Sequence, residues 1–289
     1  MAGVLNVREL VDAELNGQSR TSEWVKNINQ VTTAGVWYDL TGASGNPRAK
    51  QWFDAAPLTA AQITQSSDGG IYHGANIGST QTKFLRFVRA ACASATPLPM
   101  TIKLMDYLLY YPSIEDGNTD PQVMTNSVTL PRWTDGKGVM MMPVTISSRT
   151  GGQTFTVTYT NSDGVAGRVS SIVTQNAVAA PGTITTSASA SAGATPDPFI
   201  PLQAGDSGVR LVESVQMNGA DTGFFAIVLV KPIAELVIRG IDAPYDKDFL
   251  LFANELNIIP DDAYISMAVL PNGSLSGLAV RGLLKSVWN

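Results

Sequence analysis

Residues 154–160 decide the fold class, and they read Thr154-Phe155-Thr156-Val157-Thr158-Tyr159-Thr160. Threonine alternates strictly with Phe, Val and Tyr, so an extended chain would carry apolar side chains on one face and hydroxyls on the other. A period of two predicts a β-strand that is buried on one side and solvated on the other. The turn residues 161–164 follow, and residues 165–174 are predicted to supply the partner strand of a hairpin.

Similar signals recur on both sides of this strand. Gly, Pro and Asn separate short apolar runs, giving about ten to twelve strand candidates and no fixed-period repeat. The pattern predicts a mainly β chain with an antiparallel β-sandwich or jelly-roll-like fold. Residues 100–111 could form a long strand or a short helix, and the β-rich surroundings favour a strand that ends at Pro112. Pro232 is expected to stop the run Phe224–Val230.

The N-terminal residues have the one helical pattern in the chain. A segment this short is unstable alone in water, so it must dock either on its own domain or on a neighbouring subunit. Gly17 is a plausible end of the helix. The apolar residues follow three- and four-residue steps, and they are Val4, Val7, Leu10, Val11 and Leu15.

Two segments are therefore distinguished, an N-terminal helical arm over residues 1–30 and a β-rich domain over residues 31–289. The apolar residues of the arm are candidate interface residues, together with Trp288 near the C-terminus. Residues 182–198 are rich in Ser, Ala and Thr, with no charge before Asp197. This stretch is interpreted as a flexible loop, or as a segment that lies across a neighbouring subunit.

The distribution of charged and apolar residues argues against nucleic acid and membrane as partners. Only 15% of the residues are charged, against roughly 25% in an ordinary domain. The net charge is −5 and no basic stripe is present, so we expect no nucleic-acid binding. The densest basic stretch, Lys83, Arg86 and Arg89, is interpreted as a solvated strand face or as interface charges. No apolar run approaches the length of a membrane span.

The residues that could carry chemistry are sparse. Cys92 and His73 are the only cysteine and histidine, and they are interpreted as a core cysteine and a loop histidine. The acidic stretch 115–120 lacks the order of a calcium loop, and it is interpreted as a solvated turn, with a structural cation left open. No nucleophile and base are tied together by local context. We therefore predict no catalytic residue, no metal site, no cofactor and no enzyme activity.

Several stretches together resemble proteins encoded with the head genes of tailed bacteriophages, which are described as virion structural proteins. The resemblance spans roughly residues 35–289 and implies a particle component without enzyme activity. The stretches that carry it are residues 105–112 (MDYLLYYP), 129–139 (TLPRWTDGKGV), 158–168 (TYTNSDGVAGR), 263–265 (AYI), 270–275 (LPNGSL) and 287–288 (VW).

The resemblance leaves the component open. The absence of a long helix disfavours the major shell protein and favours an auxiliary capsid protein, a decoration or cement protein on the outer head surface. That assignment implies the major capsid protein as partner, a homo-oligomer with a trimer as first guess, synthesis in the bacterial cytoplasm, and residence in the virion. The alternatives are a tail, neck or baseplate protein, a carbohydrate-binding β module and, least favoured, an enzyme.

Overall fold

The fold is described from a computed structural model that covers residues 6–177, 180–185, 197–241, 244–251 and 257–289. It is mainly β, as the sequence predicts, and has a short N-terminal helix. The elements in chain order are α1 (Val7–Leu15), β1 (Ser19–Ile28), β2 (Tyr38–Asp39), β3 (Ser44–Asn46), β4 (Ala61–Gln62), α2 (Gln65–Asp68), β5 (Lys83–Cys92), β6 (Met100–Glu115), β7 (Gln122–Val123), β8 (Met140–Thr145), β9 (Thr154–Asn161), β10 (Arg168–Val169), β11 (Val173–Thr174), β12 (Val209–Met217), β13 (Phe224–Ile238), β14 (Tyr245–Asp248), β15 (Tyr264–Leu270) and β16 (Leu278–Trp288).

The named strands form three sheets in which every strand pairing is antiparallel. The central sheet has the order β2-β15-β6-β13-β8, with β4 also paired to β6. The terminal sheet, named for the two strands nearest the chain termini, has the order β14-β5-β16-β1-β3. The threonine sheet has the order β10-β9-β12-β7, with β11 also paired to β9. The fold is thus a sandwich in which the central sheet packs against both the terminal sheet and the threonine sheet.

Three core clusters show how the sheets pack. The first half of β6 packs with the terminal sheet, and the second half packs with the threonine sheet. Further side chains of the central sheet contact residues from connecting segments. Representative members are Trp24, Leu104 and Leu284 in the first cluster, Tyr111, Phe155 and Phe225 in the second, and Trp37, Trp52 and Tyr107 in the third.

Two prolines expected to end strands do not end them. β6 continues through Pro112 to Glu115, and β13 continues through Pro232 to Ile238. Both prolines lie at shifts of the β6–β13 register. Pro112 lies opposite the shift between Phe225 and Ile227, and Pro232 lies at the shift between Pro232 and Ala234. A bulge interrupts the hydrogen-bond ladder, so the missing amide hydrogen of a proline is tolerated there. The predictions at Pro112 and Pro232 were therefore wrong.

The strand that decides the fold class is confirmed as β9. Its burial alternates residue by residue, with Phe155, Val157 and Tyr159 fully buried. The predicted partner strand is split into β10 and β11, which both pair with β9. Ser170 lies between them, and its hydroxyl accepts a hydrogen bond from the Val157 amide at 3.0 Å. A side chain replaces a backbone carbonyl there, which interrupts the ladder.

The N-terminal segment is helical over part of its predicted length. α1 ends at Leu15, and Gly17 follows with a φ of 72°, as its predicted role at the helix end requires. Residues 19–28, assigned above to the arm, form β1 instead, which pairs with β16 over its whole length. The apolar residues Trp24 and Ile28 explain this strand, because both are buried in the first core cluster.

The Ser/Ala/Thr stretch is described only at its ends, and residues 186–196 lie outside the described residues. Its first residues are held by the central sheet. Thr183 forms a bridge with Tyr38, and Ile184 forms a bridge with Val144. Ile184 is fully buried, so this end of the stretch is part of the core.

Candidate interaction surface

Helix α1 begins at a well-formed cap. The Asn6 side chain accepts a hydrogen bond from the Glu9 amide at 3.0 Å, and its own amide group donates to the Glu9 carboxylate at 2.9 Å. This reciprocal arrangement satisfies an amide that the first helical turn would otherwise leave unpaired. Local sequence therefore fixes where the helix starts, and Gly17 marks where it ends.

One face of α1 is docked on the outer side of the terminal sheet. Leu10 and Ala13 are buried and pack with Phe84 and Val287. At the last turn, Glu14 pairs with Arg86, and the Lys285 ammonium lies 2.8 Å from the same carboxylate. Of the two docking modes that the sequence leaves open, the structure has the helix on its own domain.

A second apolar face of α1 points away from the protein. Val7 is 63% exposed, Val11 50% and Leu15 80%. Their spacing of four residues places them in one row along the helix, here called the α1 ridge. Leu10 belongs to the docked face and not to this ridge. Val4 lies outside the described residues.

Trp288, the remaining candidate interface residue, is half-buried at the end of β16. The Lys83 ammonium lies 5.8 Å from its ring centroid, and a Cβ added at Gly74 would meet the ring at 3.2 Å. The ring therefore packs within its own fold on the described residues. Val287 before it is fully buried against α1.

The predicted basic face of β5 divides into two environments. Arg86 pairs with Glu14 and Asp248, and the exposed Arg89 pairs with Asp246, as expected of charges on a strand face. Lys83 departs from that prediction, since it is 1% exposed. The irregular segment before β5 covers this end of the strand, and the Lys83 ammonium donates to the carbonyl of Ala75 in that segment at 2.8 Å.

The only histidine is fully buried in an irregular segment before β5, so it is a loop histidine that lies in the interior. His73 Nε2 lies 3.0 Å from the Ala263 carbonyl oxygen, and Nδ1 lies 3.2 Å from Lys83 Nζ. An ammonium can only donate, so Nδ1 accepts and Nε2–H donates, which is the neutral form of the ring. Burial, reinforced by Lys83, lowers the pKa of His73 from 6.5 to about 4.

We expect this histidine to make stability depend on pH. The unfolded chain takes up the proton near pH 6.5 and the folded protein only near pH 4, so the unfolded state binds more protons between these values. The free energy of unfolding keeps its full contribution from neutral His73 above pH 6.5. About 3 kcal/mol of that stability is lost as the pH falls from 6.5 to about 4. An NMR titration of the single imidazole measures the pKa directly, and a midpoint near 6.5 would contradict the prediction.

The acidic stretch 115–120 forms the expected turn with Glu115, Thr119 and Asp120 exposed, but Asp116 within it is not solvated. Asp116 is fully buried and bonds to the Arg149 guanidinium, with Nη2–Oδ1 at 2.7 Å. Gln175 donates to the same carboxylate at 2.7 Å. Because Asp116 is held by these two side chains, its oxygens face protein donors. Among the described residues, no three His, Cys, Asp or Glu side chains are grouped as metal ligands.

The structure also bears on the predictions about Cys92 and about membrane spans. Cys92 is buried in the first core cluster, which confirms its interpretation as a core cysteine. None of the described helices combines the length and the apolar character needed to cross a bilayer.

Comparisons with known proteins assign no family to this chain. No protein-family model matches the chain, and no curated protein matches it. A solved structure that aligns with it is the crystal structure of the infectious bursal disease virus VP2 subviral particle. The alignment covers 93% of this chain and 80% of that one, at 10% sequence identity and a TM-score of 0.17. A TM-score of 0.17 is too low to indicate a shared fold.

Proposed function

We propose that this protein is a non-enzymatic structural component of a tailed-phage particle, a decoration protein that binds the outer surface of the head. The observation that carries the proposal is the α1 ridge, three exposed aliphatic side chains on a helix that is already anchored. The sequence resemblance to virion structural proteins supports the same role. The partner proposed for the ridge is the major capsid protein.

An anchored helix suits this role for an energetic reason. Ordering a free segment on binding costs conformational entropy, and a helix docked through Leu10, Ala13 and Glu14 has already lost that freedom. Its exposed row has the spacing by which helices fit into apolar grooves. Each aliphatic side chain removed from water contributes about 1.5–3 kcal/mol.

The buried polar groups support a structural role more than a catalytic one. Asp106, Asp116 and His73 are each held by several protein groups within the described residues, and none lies at a surface where a substrate would reach it. A homotrimer is proposed because contacts repeated around a symmetry axis add up even when each is modest.

The test replaces the ridge without disturbing the docked face. We expect a Val7→Ser, Val11→Ser, Leu15→Ser variant to fold normally and to bind shells that lack this protein at least about tenfold more weakly. The measurement is occupancy of purified heads by quantitative mass spectrometry and electron microscopy, with the melting temperature as a check on folding.

A matched control is available on the threonine sheet side. Val165, Val169 and Ile172 are 51%, 45% and 58% exposed, so replacing these three with serine removes similar aliphatic surface elsewhere. The control should decorate heads fully. Equal occupancy by the ridge variant and the wild type would refute the ridge as the contact. Recovery of the intact protein only from tails would refute the head assignment.

A further inference from the structure

A cavity of about 210 Å³ lies where the β1–β3 edge of the terminal sheet meets the end of β8 and residues 181–182. It is smaller than the roughly 300–1,000 Å³ of sites for drug-sized ligands, so it suits a single ring. Its lining comes from four separate parts of the chain, residues 27–30, 38–53, 144–146 and 181–182. The cavity has no part in the proposed head contact, which uses α1.

One hydroxyl group that faces this cavity has no protein partner among the described residues. Tyr38 is 4% exposed, lines the cavity, and makes no side-chain hydrogen bond to any described residue. Thr145 also lines it, but its unpartnered Oγ1 is enclosed by protein and does not face the cavity. The Tyr38 hydroxyl can both donate and accept, so a hydroxyl-bearing ligand in the cavity would give it a partner that the protein does not supply.

The rim of the cavity is polar and neutral. Asn27, Asn29, Gln30 and Gln51 bring exposed side-chain amides to it, and each amide offers both donors and an acceptor. Phe53 adds a ring that is 54% exposed. An amide rim with one open aromatic ring can bind a flat, weakly polar face whose edge carries hydroxyls.

The two charged groups that line the cavity are already engaged. The Lys50 ammonium lies 2.7 Å from Asp54 and 2.9 Å from Asp68. The Asp39 carboxylate accepts from the Tyr107 hydroxyl at 2.8 Å and the Trp52 indole at 2.6 Å, and also from Thr41. Because these charges are neutralised or fully bonded, the cavity favours an uncharged ligand.

We propose that this cavity binds one neutral saccharide ring. The ring hydroxyls bond to Tyr38 and the rim amides, and the apolar C–H face of the ring packs on Phe53. Saccharide rings carry both features, a hydroxyl edge and an apolar face, whereas a purely apolar ligand would leave the amides and the Tyr38 hydroxyl unmatched.

The experiment uses the full chain with free glucose, galactose, mannose and N-acetylglucosamine as separate probes in saturation-transfer NMR. At least one sugar should receive saturation. Tyr38→Phe, which removes an unpaired hydroxyl and keeps the ring, should weaken binding of that sugar roughly three- to tenfold at an unchanged melting temperature. Phe53→Ala should weaken it by a similar factor, since this ring is mostly in solvent.

Matched controls are Tyr72→Phe and Phe224→Ala, which alter partly exposed aromatic residues outside the cavity and should leave sugar binding unchanged. The proposal is overturned if none of the four sugars receives saturation, or if the two cavity variants bind as the wild type does. Glutamine, tested alongside, stands for an amide side chain of a protein partner. Transfer to glutamine without transfer to any sugar would also overturn the saccharide assignment.

Discussion

Replacing Asp106 with alanine is expected to lower the free energy of unfolding by about 3–5 kcal/mol, because it leaves a buried arginine without its counter-charge. Asp106 is fully buried in the middle of β6. Arg132 holds it with two bonds, Nε–Oδ2 at 3.0 Å and Nη2–Oδ1 at 2.8 Å. The indole of Trp133 and the amide of Tyr264 also donate to it, so one carboxylate joins a connecting segment and two strands.

The control for Asp106 removes both charges together. A double variant, Asp106→Leu with Arg132→Met, places apolar side chains of similar size where the ion pair was and should recover much of the lost stability. Urea unfolding of the wild type, the single variant and the double variant gives the three free energies. If the single variant were as stable as the wild type, Arg132 would have found another partner and the prediction would fail.

The second large effect is expected at Phe155, where alanine should cost about 3–5 kcal/mol. This side chain is fully buried in β9, and its ring centroid lies 5.0 Å from that of Phe225 on the central sheet. The substitution would leave a cavity between two packed sheets, and both backbones are held by long ladders that limit collapse around it.

Thr156, the next residue along β9, provides the matched comparison. It is only partly buried and lies on the opposite face of the strand. Thr156→Ala should change the unfolding free energy by less than about 1 kcal/mol. Thermal and urea unfolding of both variants test the alternation directly, and similar losses for the two would show that the faces of β9 had been misassigned.

The parts of the fold that were predictable from sequence are those specified by neighbouring residues. The alternation in residues 154–160 is local, and so is the glycine at the end of α1. β1 was missed because residues 19–28 carry Arg, Glu and Lys among the apolar residues, which weakened the strand pattern. Lys26 shows why, since it is fully buried and its ammonium donates to the carbonyls of Ala43 and Pro47, each at 3.0 Å.

The features that were not predictable depend on distant residues. Pro112 ends a strand by local rules, and only the β6–β13 pairing shows that a bulge accommodates it. Of the candidate surface, the sequence supplied the apolar residues of α1 but could not separate the buried Leu10 from the exposed Val7, because only the sheet beneath the helix decides that. The cavity described above could not be predicted from the sequence for the same reason, because its lining comes from four separate stretches of the chain.

The pairing of β1 with β16 has a consequence for synthesis of the protein. β1 is made before β16, yet its long ladder forms only with residues 278–288, and β5 depends on that same strand. On the ribosome, both strands expose unpaired edges until residues 278–288 have emerged, and pairings between distant residues form slowly. Chains interrupted before residue 278 cannot complete this sheet, so they would be directed to chaperones or proteases, and the cell would supply only chains translated past that point for assembly.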